Sequence, residues 1–164
     1  MKIESKYLPL KYLKNYILKS PRGTVVFDID DTVIKHDGSK LSKPMLELVA
    51  SALKLHRVVF ITARFDRFRD QTIEELKKHG FWKEGVQLLM HPDDLPRDDK
   101  TTARVKLQHR IELALKNHTI ILNVGDRFSD LAADTPPNDA RNKFLVYALS
   151  HDPALISAKL PELI

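Results

Sequence analysis

The sequence predicts an α/β fold, a three-layer αβα sandwich around a mostly parallel central sheet, and two observations carry that prediction. Short apolar runs rich in valine, isoleucine and phenylalanine alternate with longer stretches of helical periodicity, as βαβ units require. The runs also end abruptly in polar groups: Val25-Val26-Phe27 enters Asp28-Ile29-Asp30-Asp31-Thr32, and Thr119 to Val124 enters Gly125-Asp126. Asp and Thr are common in turns and helix caps. Bunched carboxylates at a strand end nevertheless cost desolvation and repel one another, so a cation among them is the simpler reading. In open α/β sheets ligands bind outside the carboxyl ends of the strands, which is where these acids fall.

At 164 residues the chain fits one domain with a sizeable core, and 43% apolar with 30% charged residues is ordinary for a globular protein. There is no cysteine, which excludes disulfides, thiolate metal sites and a cysteine nucleophile. The apolar runs are too short to span a bilayer and the N-terminus lacks the apolar centre of a signal peptide, so the expected location is cytoplasmic, with no membrane partner. The net charge of +5 is local: residues 1–22 hold six bases against one acid, and the remainder balances. The basicity therefore belongs to an N-terminal arm, expected as a helix packed on a single catalytic domain of residues 23–164. Such an arm either covers the sheet with a solvated lysine face or attracts a polyanion.

In order, Leu10, Leu13, Tyr16 and Ile17 have helical spacing, and Ser20-Pro21-Arg22-Gly23 ends that helix before the first strand at Val25. A polar connection with the turn signal Asp37-Gly38 leads to Pro44, which opens a helix to about Leu55 with Met45, Leu46, Val49, Ala52 and Leu53 on one face. Val58 to Ile61 is the second strand, ending in Thr62-Ala63-Arg64; a helix from about Arg67 to His79 stops at Gly80. Val86 to Met90 is the third strand, His91 to Pro96 a loop, Asp99 to Lys116 a helix and Thr119 to Val124 the fourth strand. Phe144 to Ala148 reads as a last short strand, and the tail ends in Leu160-Pro161-Glu162-Leu163-Ile164.

Four polar clusters thus stand at or beyond the strands: Asp28/Asp30/Thr32, Thr62/Arg64, Lys106/Arg110 and Asp126/Asp130. Converging on one sheet edge, they would let a metal neutralise the acids and a lysine and hydroxyl receive an anion, leaving one carboxylate to attack it. The chain here resembles the haloacid dehalogenase superfamily. Asp28-Ile29-Asp30-Asp31-Thr32 matches its DxDxT motif, Thr62 ends an apolar strand as the second motif requires, and Gly125-Asp126 through Asp130 matches GDxxxD. Lys106, twenty residues before Asp126, suits the third motif, with Lys100 as the alternative because it too is followed by an arginine four residues on. Thr62-Ala63-Arg64 with Arg69 and Thr72, Leu122-Asn123-Val124-Gly125-Asp126 and Lys159-Leu160-Pro161 resemble the branch containing the class B and class C acid phosphatases.

The resemblance implies a Rossmann-like phosphomonoester hydrolase. Asp28 would form an aspartyl-phosphate, and Asp30 would protonate the leaving oxygen and then activate water. Mg²⁺ would sit on Asp28, Asp126 and the backbone carbonyl of Asp30. Thr62 would bind phosphoryl oxygens, Lys106 would balance charge, and Asp130 would orient the lysine or a metal-bound water. Asp31, Thr32, Ala63 and Arg64 complete the expected substrate-binding set, with Arg64 either touching substrate or bracing its loop. The acids Asp93, Asp94, Asp98 and Asp99 read as loop residues and helix caps.

Only 29 residues separate Thr32 from Thr62 and 43 separate Thr62 from Lys106, which leaves no room for the cap domain that many members insert there. An open cleft suits a bulky substrate unless a homo-oligomer supplies walls. Three functions follow: a phosphomonoesterase acting on nucleotides or similar esters, a polynucleotide-end phosphatase using the basic arm, or a non-catalytic phosphate-binding domain. The intact Asp28 and Asp30 argue against the last.

Overall fold

β2 (Thr24–Phe27) is buried throughout because strands flank it on both edges and helices cover both faces. The computed structural model describes residues 4–5, 10–126, 146–149 and 155–159, with side chains described from 13 to 126. The other elements are β1 (Glu4–Ser5), α1 (Leu10–Lys19), α2 (Lys43–Leu55), β3 (Arg57–Phe65), α3 (Arg69–Lys78), β4 (Gln87–His91), α4 (Asp99–Leu115), β5 (Ile120–Gly125), β6 (Val146–Leu149) and β7 (Leu155–Lys159). They give a seven-stranded sheet in the order β1-β6-β7-β5-β2-β3-β4. Strands β7, β5, β2, β3 and β4 are parallel, while β6 runs antiparallel to both β7 and β1.

Alternation along the strands sorts side chains into two cores. Val25, Phe27, Val58 and Phe60 pack with Leu13 and Ile17 of α1, Met45, Leu48, Val49 and Ala52 of α2, and Leu76 of α3. On the other face Val26, Val59 and Ile61 pack with Leu113 of α4. The predicted α/β sandwich is therefore the observed one. In α1, Leu13 and Ile17 are fully buried, the Tyr16 hydroxyl donates to the Ile121 carbonyl at 3.0 Å, and Lys14 pairs with Glu47 at 3.0 Å. His56 pins the end of that helix, its Nε2 lying 2.7 Å from the Ile17 carbonyl while its Nδ1 accepts the Gly23 amide at 3.1 Å.

Two boundaries and two strands differ from the sequence expectation, each for a local reason. β3 continues past Ile61 to Phe65, but its register against β4 shifts between those residues, so Thr62-Ala63-Arg64 forms an irregular step within a strand. A 3₁₀ turn over Asp66–Phe68 delays α3 to Arg69, and Gly80 at φ +77° still closes that helix region. β7 was not anticipated, because Leu-Ile-Ser-Ala-Lys lacks the sustained β-branched run that marked the central strands. β1, two residues long, carries too little pattern to read.

Candidate active site

The register of the central strands sets the site. Phe27 is level with Phe60 of β3 and Val124 of β5, so the next residue, Asp28, emerges between the ends of both neighbours. Its amide still donates to the Val124 carbonyl at 3.0 Å, which holds the residue in line with the ladder. Beyond it the chain folds into a tight turn in which the amides of Thr32, Val33 and Ile34 all converge on the Ile29 carbonyl. Ile29 and Val33 are fully buried and anchor the turn, which leaves Asp28, Asp30 and Asp31 lining a cleft of about 340 Å³. Asp31 takes φ +59°, a left-handed conformation that aspartate tolerates better than most residues.

α4 supplies the cation. It follows β4, so its first turn lies at the carboxyl edge of the sheet and it runs back across the face. Asp98 caps it, accepting the Thr101 amide at 2.8 Å. Ala103, Lys106, Arg110 and Leu113 are its buried residues, so two cations sit in an otherwise apolar inner stripe. Lys106 Nζ donates to Asp28 Oδ1 at 2.8 Å, and Thr32 Oγ1 donates to Asp28 Oδ2 at 3.1 Å. Asp28 and Lys106 are 7% and 4% exposed, so this ion pair is screened little by water. Asp126, at the end of β5 and 8% exposed, lines the same cleft. Lys100 is exposed and does not line it.

The wall opposite is built by the irregular step of β3. Arg64 forms a two-pronged contact with Asp30, Nε to Oδ2 at 3.0 Å and Nη2 to Oδ1 at 2.8 Å. Its remaining nitrogen reaches Glu75 Oε2 at 2.6 Å and Thr72 Oγ1 at 3.4 Å on α3. The hydrogen bonds to Asp30, supported by Glu75, hold the guanidinium above its ordinary pKa against the opposing effect of burial. Arg64 therefore braces its loop and lines the cleft at once. Thr62 is buried and its hydroxyl accepts the Arg64 amide at 3.2 Å, beneath rather than among the residues lining the cleft. Thr32, expected at the substrate, is likewise buried and spends its hydroxyl on Asp28. Ala63 lines the cleft. Asp130 lies outside the described residues.

Sequence reasoning passed over two lining residues, Arg97 and Thr102, and took a third, Asp99, for a loop acid or helix cap. The chain order could have found them, because a helix entered from the carboxyl end of a strand must begin at the ligand-binding edge. Among the described residues, no three His, Cys, Asp or Glu side chains cluster as a ready metal cage. The acidic donors in the cleft are oxygen-only, the set that suits a hard cation such as Mg²⁺, which usually takes one or two protein carboxylates. Among the described residues, no helix is long and apolar enough to cross a membrane.

One contact at the rim joins a histidine to an acid. His36 Nδ1 lies 2.5 Å from Asp31 Oδ1, and hydrogen bonding to Asp31, followed by its charge, raises the His36 pKa above its ordinary value. The stability this pair adds is complete below the unfolded histidine value, about 6.5, and is lost as pH rises through the raised folded value. Asp31→Asn should bring the His36 titration back down towards that ordinary value, followed through its ring C–H resonance. A titration that does not move would show that the contact is not made in solution.

The model of the HAD superfamily, subfamily IIIB (acid phosphatase), matches residues 34–151. The match begins at Ile34, so it spans Thr62, Arg64, Lys106 and Asp126, while Asp28 to Thr32 lie before it and rest on their sequence motif and on the geometry above. No curated protein sequence matches the chain.

Proposed function

We propose a mechanism for a chain that belongs to the HAD superfamily, subfamily IIIB, the acid phosphatases, and that is accordingly a phosphatase, a phosphoric monoester hydrolase. Its substrates are nucleotides or similar phosphate esters, and the observation that most supports the site is the buried Lys106–Asp28 contact at 2.8 Å. Asp28 is the nucleophile. Lys106 and the Thr32 hydroxyl fix its two oxygens, so the carboxylate is oriented before substrate arrives. Attack at phosphorus forms an aspartyl-phosphate and breaks the bond to the leaving oxygen, which takes its proton from Asp30. Asp30 then accepts a proton from the water that cleaves the intermediate.

Both Asp30 oxygens are engaged by Arg64 here, so the acid–base role requires that contact to loosen as substrate enters. A phosphoryl dianion competes with Asp30 for the same guanidinium, and Glu75 keeps Arg64 in place during the exchange. Thr62 and Ala63 shape the floor that receives the phosphoryl oxygens. Asp28, Asp126 and the Asp30 carbonyl would hold Mg²⁺, with Asp130 as an orienting acid; the ion supplies electrostatic stabilisation of phosphoryl charge. Residues 1–22 form an arm on a single catalytic domain, 23–164. The intervals 33–61 and 63–105 contain α2, and α3 with β4, and we read the domain as capless.

The test is a panel of phosphomonoesters assayed with purified protein and Mg²⁺: mononucleotides, 5′- and 3′-phosphorylated oligonucleotides and a phosphopeptide. Turnover should disappear in excess chelator and return with Mg²⁺, while Ca²⁺ should support it poorly because its looser coordination shell does not enforce in-line geometry. Full activity in excess chelator would remove the metal from the mechanism. Preference for oligonucleotides over mononucleotides would favour the polynucleotide-end reading.

A further inference from the structure

The rim of the cleft contains a second cationic feature that the chemistry at Asp28 does not use. Arg97 lines the cleft, is exposed, and has no carboxylate or hydrogen-bond partner among the described residues. The other two cations of the cleft are already engaged, Lys106 by Asp28 and Arg64 by Asp30 and Glu75. The Arg97 guanidinium lies 5.4 Å from the centroid of the Phe65 ring, and Arg67 lies 4.2 Å from the same centroid. Two guanidiniums on one ring repel each other, and among the described residues the acid that ion-pairs with either of them is Asp93, 3.6 Å from Arg67 and half exposed. The exposed Arg97 guanidinium, with no ion-pair partner among the described residues, is therefore open to an anionic group in the cleft.

The arrangement is held from behind. His91, fully buried, donates from Nε2 to the Pro96 carbonyl at 3.0 Å, which fixes the loop immediately before Arg97. The same imidazole packs edge-on against Phe65 with ring centroids 5.5 Å apart. Arg97 lines the same cleft as Arg64 and the Asp30 that it grips, on the side from which the leaving group departs in the proposed reaction.

We propose that Arg97, with Arg67 beside the same Phe65 ring, binds a second phosphate on the leaving-group side of the substrate. The preferred substrate is then a phosphomonoester that carries another phosphate, either a nucleoside bisphosphate or the phosphorylated end of an oligonucleotide. This inference rests on reading the cleft as the phosphomonoester site.

Initial rates of the full chain on thymidine 5′-monophosphate, thymidine 3′,5′-bisphosphate and a 5′-phosphorylated dinucleotide test it. The readout is the ratio of kcat/KM between doubly and singly phosphorylated substrates, in which any general loss of activity cancels. The wild type should favour at least one doubly phosphorylated substrate by about tenfold, through KM, the scale of one exposed charge-assisted contact. That ratio should fall towards one in Arg97→Gln, decline less in Arg67→Gln, recover partly in Arg97→Lys, and shrink with added salt. A preference confined to the bisphosphate, or to the dinucleotide, supports the inference and identifies the source of the second phosphate. A wild-type ratio near one, or a ratio that survives Arg97→Gln, overturns the inference while leaving the phosphatase site intact. Undiminished turnover in an Asp28→Asn control would instead overturn the site itself and the inference with it.

Discussion

Asp28→Asn should lower kcat by at least about a thousandfold, because it removes the attacking charge while keeping the shape of the side chain. The amide retains an oxygen for Lys106 but presents an N–H₂ where a carboxylate oxygen accepted the Thr32 hydroxyl. The substitution also removes the carboxylate charge that Lys106, 4% exposed, meets at 2.8 Å, so a thermal melt must accompany the kinetics to separate chemistry from unfolding. A folded Asp28→Asn protein with near-normal turnover would sink the mechanism. Rapid-quench measurements add a second readout, since this variant should accumulate no acid-stable or acid-labile phospho-enzyme from any ester.

Much of the fold was legible because burial on both faces of a parallel sheet forces continuous apolar runs, and Val25-Val26-Phe27 and Val58 to Ile61 are such runs. The cluster of acids was legible for the complementary reason that nothing about sheet packing calls for Asp28, Asp30 and Asp126. What the sequence did not disclose was who holds whom. Arg64 looked like a residue that either touches substrate or braces a loop, and the bulge in β3 lets it do both positions at once, reaching Asp30, Glu75 and Thr72. Thr32 sits in the motif where a substrate contact was expected, yet the turn closed by the Ile29 carbonyl directs its hydroxyl onto Asp28. Arg97 was invisible because its interest lies in having no ion-pair partner among the described residues, and partners are a property of three dimensions. β7 escaped because two bulky apolar residues in five do not make a period.

Lys106→Met should produce the second large effect, and it bears on which of two lysines serves the site. Methionine keeps the length of the side chain in the inner stripe of α4 but withdraws the ammonium from Asp28. Removing one partner of a buried ion pair costs about 3–5 kcal/mol of stability, since the other charge is left in a poorly solvated place. At a folded temperature kcat should fall by about a hundredfold or more, the scale for losing one preorganised donor at a centre where phosphoryl charge develops. Lys100→Met should change neither property, because Lys100 is exposed and lies outside the cleft. Combining Asp28→Asn with Lys106→Met should cost less stability than the two single losses added together, since each alone already removes the ion pair. Additive losses would mean that the 2.8 Å contact contributes nothing as a pair. If Lys100→Met proved the inactivating change and Lys106→Met did not, the catalytic lysine would have to be reassigned to the first turn of α4.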